Sequence, residues 1–135
     1  QIKKVLELNP NNADALNFLG YSYAEAGVNL DEAEKLVREA LRAKPDSGHI
    51  LDSLGWVYYK KGQYDKAVAE LERAHRLMPQ DATVAEHLGD AYFQNKRYRD
   101  ALRIYRRALV LENANTPALR KKINQVESIT KRPSH

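Results

Sequence analysis

The amino-acid sequence predicts an all-α protein made of repeated helix–turn–helix units. Three observations carry that expectation. Strong helix formers dominate the 135 residues, and β-branched runs are absent. Leu54, Gly55 and Tyr58 recur as Leu88, Gly89 and Tyr92 34 residues later, and the same trio stands earlier as Leu19, Gly20 and Tyr23. Glycine and proline punctuate the pattern at matching places, Gly27 and Gly62 inside the units and Pro45 and Pro79 at their ends.

Residues 48–81 show the unit whole. Leu51, Leu54 and Tyr58 form one apolar stripe at helical spacing. Gly55 has no Cβ, so a neighbouring helix can come close. Gly62 can take a positive φ, which ends the first helix and turns the chain. Tyr64, Ala67, Leu71 and Ala74 carry the second helix, and its alanines sit two turns apart, where small residues allow tight packing. Pro79 has no N–H to donate and stops that helix.

The other segments follow in order. Residues 1–12 read as the second helix of a truncated unit, with Ile2, Val5 and Leu6 on one side, Pro10 as the stop and Asn11–Asn12 as the turn. Having lost its partner helix, this half-unit is expected to self-associate or to fray. Residues 13–47 repeat the central unit, with Leu16, Leu19, Gly20 and Tyr23 followed by Gly27, Ala33, Ala40 and Pro45. One extra residue lies between Gly27 and Ala33, Leu30 replaces the tyrosine, and Asp31 is an acid suited to the helix start. Residues 82–115 repeat it again through Leu88, Gly89, Tyr92, Tyr98, Ala101, Tyr105 and Ala108. Here Asn95–Lys96 replaces the glycine turn, with Asn95 expected in the left-handed region. Asn113 replaces the proline, so the following turn is expected to be looser. In residues 116–131, Thr116 is expected as N-cap and Pro117 in the first turn. Leu119, Ile123 and Val126 then form a single apolar stripe, as suits a helix that closes a repeat stack against water. Residues 132–135 are expected to fray.

The chain has no cysteine, which excludes disulfides, cysteine-based zinc sites and cysteine nucleophiles. No apolar run approaches membrane-spanning length, so no membrane insertion is expected of this segment. The chain starts with Gln1 and opens inside a helical pattern, so it reads as a piece of a longer protein, and missing targeting signals describe the piece and not its parent. The net charge of +4 is graded: residues 1–47 carry six basic and eight acidic side chains, and residues 116–135 carry five and one. A charge this small is no nucleic-acid signature.

These marks resemble the tetratricopeptide repeat family over about residues 1–130, with Leu51 standing where that pattern usually has Trp. The resemblance implies an α-solenoid: antiparallel helix pairs stacked into a right-handed superhelix with a C-terminal capping helix. It further implies that the first helix of each pair lines a concave groove that binds peptides or partner helices. More narrowly, ALNFLGYSYAEAG, HILDSLGWVYYKKGQYDKA and AEHLGDAYF are similar to the C-terminal repeats of bacterial envelope lipoproteins, some of which act as protease adaptors. That narrower likeness favours a bacterial periplasm or cell envelope, with the cytoplasm as the alternative.

Removing the packing residues leaves the groove-facing positions of the three first helices. They include Asn17 and Tyr21 on the first, His49, Asp52, Trp56 and Tyr59 on the second, and Glu86, Asp90 and Phe93 on the third. Asp14, Glu25, Lys60, Thr83 and Gln94 flank them. Carboxylates interleaved with aromatics suit a protein or peptide ligand that brings basic and apolar residues. Trp56 and Tyr59 have a second reading, as packing between adjacent repeats. The lysines that some relatives use to grip a C-terminal carboxylate are missing from Asn17, Asp52 and Glu86.

Other chemistries are weaker. His49 and His75 fall on different helices of the central unit and His87 on the next unit, and none has the i, i+4 spacing of a helical zinc site, so no metal or other cofactor is expected. Asp52, Glu86 and Asp90 have no nucleophile, phosphate loop or metal motif beside them, so a solvated acidic groove is favoured over catalysis. Lys96, Arg97, Arg99, Arg103, Arg106 and Arg107 form a basic strip whose Tyr98 belongs to the packing pattern. It reads as a solvated face or a dock for an acidic partner before nucleic acid.

Overall fold

The computed structural model describes residues 12–131, which form seven α-helices and no strand. They are α1 (Ala13–Ala26), α2 (Leu30–Ala43), α3 (Gly48–Lys60), α4 (Tyr64–Leu77), α5 (Ala82–Gln94), α6 (Tyr98–Leu109) and α7 (Thr116–Thr130). The expectations for residues 1–11 and 132–135, including self-association through Ile2, Val5 and Leu6, fall outside the described residues.

Short turns join α1 to α2, α3 to α4 and α5 to α6 into hairpins, and α7 packs on the last of them. Within each hairpin the helices meet at a glycine. A Cβ on Gly20 would stand 2.5 Å from Val37 Cγ2, one on Gly55 would stand 2.5 Å from Leu71 Cγ, and one on Gly89 would collide with the Tyr105 ring. Opposite these points Ala33, Ala40, Ala67, Ala74, Ala101 and Ala108 are completely buried. Small residues on both sides therefore set the close spacing of each hairpin.

The three hairpin turns share one hydrogen-bond design. Val28, Gln63 and Arg97 donate backbone N–H groups back to the carbonyls of Tyr23, Tyr58 and Tyr92, closing each first helix in a Schellman-type turn. The residue before each donor takes a positive φ: 72° at Gly27, 79° at Gly62 and 61° at Lys96. Lys96, not Asn95, is thus the left-handed residue of the third turn. Because α3 and α5 are both 13 residues long, the turn falls at the position equivalent to Gly62 whatever residue stands there.

Each first helix, and α7 with them, begins on a side-chain cap. Asn12, Ser47, Asp81 and Asn115 accept from the backbone N–H groups of Ala15, Ile50, Val84 and Ala118. The cap of α7 is therefore Asn115 and not Thr116, because the Asn115 side-chain Oδ1 accepts from the Ala118 N–H while its backbone carbonyl already accepts the first helical bond, from Leu119. Asn113 also corrects the expected loose turn: its Oδ1 accepts from the Ala82 N–H at 2.9 Å and ties the chain after α6 to the start of α5.

Each second helix packs on the first helix of the next hairpin, α2 on α3 and α4 on α5; the first helices also meet, α1 on α3 and more lightly α3 on α5, while successive second helices barely meet. The more closely spaced set lies on the inside of the curve. The concave face is therefore made by α1, α3 and α5, and α2, α4 and α6 form the outer wall.

Candidate binding groove

On the concave side each first helix hands a carboxylate to a donor on the next. Trp56 Nε1 on α3 donates to Glu25 Oε1 on α1 at 3.3 Å. His87 Nδ1 on α5 donates to Asp52 Oδ1 on α3 at 2.9 Å. Lys122 Nζ on α7 reaches Glu86 at 2.6 Å and Asp90 at 3.0 Å on α5. These three links form a ladder across the inner wall.

The middle link is reinforced by stacking. The Trp56 ring lies on His87 with centroids 4.0 Å apart and on Tyr59 with centroids 4.5 Å apart and planes 4° from parallel. Trp56 is only 7% exposed. The structure thus places Trp56 and Tyr59 in an inter-repeat stack, where the first offers a partner an edge and not an open face. The physical reason is His87, whose ring covers one side of the indole.

Charge inside the ladder follows burial and pairing. Burial pulls the His87 imidazole down, but the hydrogen bond and charge of Asp52, with Asp90 and Glu25 behind them, outweigh it and leave His87 above its ordinary value. Burial pushes the Asp90 carboxyl up against the opposing effect of Lys122 and the Tyr105 hydroxyl, which donates to it at 2.5 Å. Burial and the Glu25 carboxylate hold Tyr21 well above the ordinary phenol range, so it stays a neutral donor to Glu25.

The sequence-predicted residues divide between two clefts. Asn17, Tyr21, His49 and Asp52 line an opening of about 510 Å³ between α1 and α3, together with Asp14, Phe18 and Ile50. Tyr59, Asp90 and Phe93 line a smaller cleft of about 230 Å³ under α7, together with Tyr105 and Lys122. Glu86 lies beneath the Lys122 ammonium. The acidic residues expected to be free for a ligand are therefore largely engaged: Asp52 by His87, and Glu86 and Asp90 by Lys122. Among the described residues no group of three or more His, Cys, Asp or Glu is arranged to hold a metal ion.

Three contributors escaped the sequence reading. His87 was legible only as the 34-residue successor of Ser53, and nothing in the sequence pairs it with Asp52. Lys122 lay among the polar residues of a one-sided helix. Phe18 had a visible signal, an aromatic outside the Leu16–Leu19–Tyr23 stripe, and it is 59% exposed at the rim of the larger cleft. Asn17 gains weight: it occupies the place that Asp52 and Glu86 hold on the next helices, yet its Oδ1 is buried with no hydrogen-bond partner.

The sequence profile of the tetratricopeptide repeat family matches residues 1–48 and 53–118. A TPR repeat-containing protein of Pseudomonas aeruginosa is 39% identical over 89 residues, which cover 66% of this chain and 15% of that protein. The type IV pilus assembly protein PilF of the same species is 28% identical over 120 residues, covering 87% of this chain and 47% of its own length. The chain thus spans less than half of either relative. Among solved structures, the first TPR of Spaghetti (RPAP3), bound to an HSP90 peptide, superposes with a TM-score of 0.81 at 20% identity, covering 89% of this chain and 96% of that one. MamA superposes at 0.80 with 22% identity, covering 96% of this chain and 74% of its own. With its repeated marks, its helix hairpins and this match over most of its length, the chain belongs to the tetratricopeptide repeat family.

Proposed function

We propose that this segment is a protein–protein interaction module, a scaffold or adaptor without catalysis of its own, that receives a peptide or partner helix on its concave face. The cleft between α1 and α3 is the entry point. The observation that carries the reading is the unpartnered Asn17 Oδ1 beside the exposed Phe18 in an opening of about 510 Å³. A buried acceptor without a donor is costly, and a backbone N–H from a bound segment would satisfy it. Phe18 and Tyr21 offer apolar contact, while the exposed Asp14, paired among the described residues only with the also exposed Lys44 at 3.1 Å, favours a ligand carrying Lys or Arg. The peptide-bound structural neighbour supports the mode of binding, not the ligand, because its identity to this chain is only 20%.

The test is calorimetric titration with short peptides that combine basic and apolar residues. Micromolar affinity, about −8 kcal/mol, is the expected scale for one short segment. Phe18→Ala and Asn17→Ala should each weaken binding, Phe18→Ala by about 2 kcal/mol as a hot spot would, with melting temperature not lowered in either and raised, if anything, in Asn17→Ala. Equal binding by wild type and both variants removes this cleft from the function. It leaves a second reading, a structural segment that packs on the rest of its parent chain or self-associates, without a free ligand groove.

A further inference from the structure

We propose that the outer flank of α6, where it meets the end of α7, is a docking surface for an acidic, partly apolar segment of a partner protein. Arg99, Leu102, Arg103 and Arg106 lie at helical spacing on one side of α6. With Thr130 they line an open cleft of about 510 Å³. Three guanidinium groups therefore surround one half-buried leucine, over about 10 Å of helix.

The preceding hairpin shows what this flank would look like if it were built only to receive another repeat. There the equivalent residues are Asp65, Val68, Ala69 and Glu72. Val68 is buried, and Glu72 accepts from the Tyr92 hydroxyl of the next hairpin at 2.6 Å. On α6 the acid and the small residue give way to Arg99 and Arg103. Arginine at such positions favours carboxylates, because its planar fork can bind both oxygens at once.

The charge around the cleft is unbalanced. Residues 96–131 hold ten basic and three acidic side chains, whereas residues 12–95 hold nine and fourteen. Arg106 pairs with Glu127 at 2.6 Å, and Asp100 is shared between Arg97 at 2.9 Å and Arg103 at 3.4 Å. Arg99 has no ion pair among the described residues. The positive field reaches into α4, where burial first, then Arg107 and Arg103, hold the His75 imidazole below its ordinary value. Leu102 gives the site an apolar floor, which suits a peptide with an aliphatic anchor between its carboxylates better than it suits a phosphate backbone.

The probe is a synthetic peptide with glutamates at helical spacing around a leucine, titrated into the full chain by fluorescence anisotropy. Its glutamine-substituted version, a single-stranded oligonucleotide and anionic lipid vesicles are run beside it. The acidic peptide should bind, weakening about tenfold or more between low and physiological salt. Arg99→Glu with Arg103→Glu should weaken it about tenfold or more by removing charge complementarity, with circular dichroism and melting unchanged. Leu102→Ala should weaken it too, and Phe18→Ala should not, which separates this surface from the concave cleft. If the charge reversal disturbs the fold, Arg99→Gln with Arg103→Gln carries the same expectation. The proposal is overturned if the charge-altered chain binds like wild type, if the glutamine peptide binds equally well, or if the oligonucleotide or the vesicles bind more tightly than the peptide.

Discussion

Gly55 and Ala67 show how much depends on the absence of single carbon atoms. Gly55 faces Leu71 where a Cβ would overlap the side chain, and Ala67 is fully buried against the same hairpin. Gly55→Ala and Ala67→Leu should each cost about 1–3 kcal/mol through overpacking, read as a lower urea midpoint with an unchanged slope. Both residues were legible in the sequence, because the 34-residue period repeats them. The Asp52–His87 pair was not, since a period marks positions and says nothing about which side chains meet across them. Its consequence is pH dependence. The folded-state value of His87 lies above the ordinary imidazole value of about 6.5. Its stabilising contribution is therefore complete below that value and is lost as pH rises through the higher folded one. Melting temperature should fall over that upward window in wild type, and the fall should flatten in His87→Gln. Parallel curves for the two proteins would show that the pair does not set the dependence.

At the scale of elements, register overrides residue preference. Asparagine is the better left-handed residue by type, yet Lys96 takes that conformation because the repeat places the turn there. Lys96→Gly should therefore raise stability by about 0.5–1 kcal/mol, the left-handed penalty relieved less the entropy that glycine loses on folding. A lower melting temperature for Lys96→Gly would mean the turn is not strained. The one-sided pattern of α7 announced a helix packed along one face, and Leu119, Ile123 and Val126 are buried as that pattern requires. Its polar face concealed the other half of the attachment. Lys122 bridges Glu86 and Asp90, so Lys122→Ala leaves two carboxylates close together without their cation. That change should cost about 1–3 kcal/mol and should speed amide hydrogen exchange in α7 before the other helices. Uniform exchange across all seven helices would contradict a local role.

Over the whole molecule, the all-α stack was legible because recurring Leu, Gly, Ala and Tyr positions encode hairpin geometry directly. Subtraction from that pattern gave a candidate set of concave residues, but not its division between two clefts. That division arises from contacts between helices about 34 residues apart, through Trp56, His87 and Lys122. Trp56 touches α1 through Glu25 and α5 through His87, so its removal should be felt across repeats. Trp56→Ala should cost about 3–5 kcal/mol in stability, and folded protein should then bind peptide nearly as wild type does. Normal melting with lost binding would instead return Trp56 to the centre of the groove. The inner ladder also gives the array a mechanical character. Its links of Glu25 to Trp56, Asp52 to His87 and Glu86 with Asp90 to Lys122 lie on the inner wall, while beyond its own hairpin an outer helix meets the next inner helix and barely the next outer one. Such a coil pulled along its axis yields one link at a time, so tension on it is released in steps and not in a single rupture.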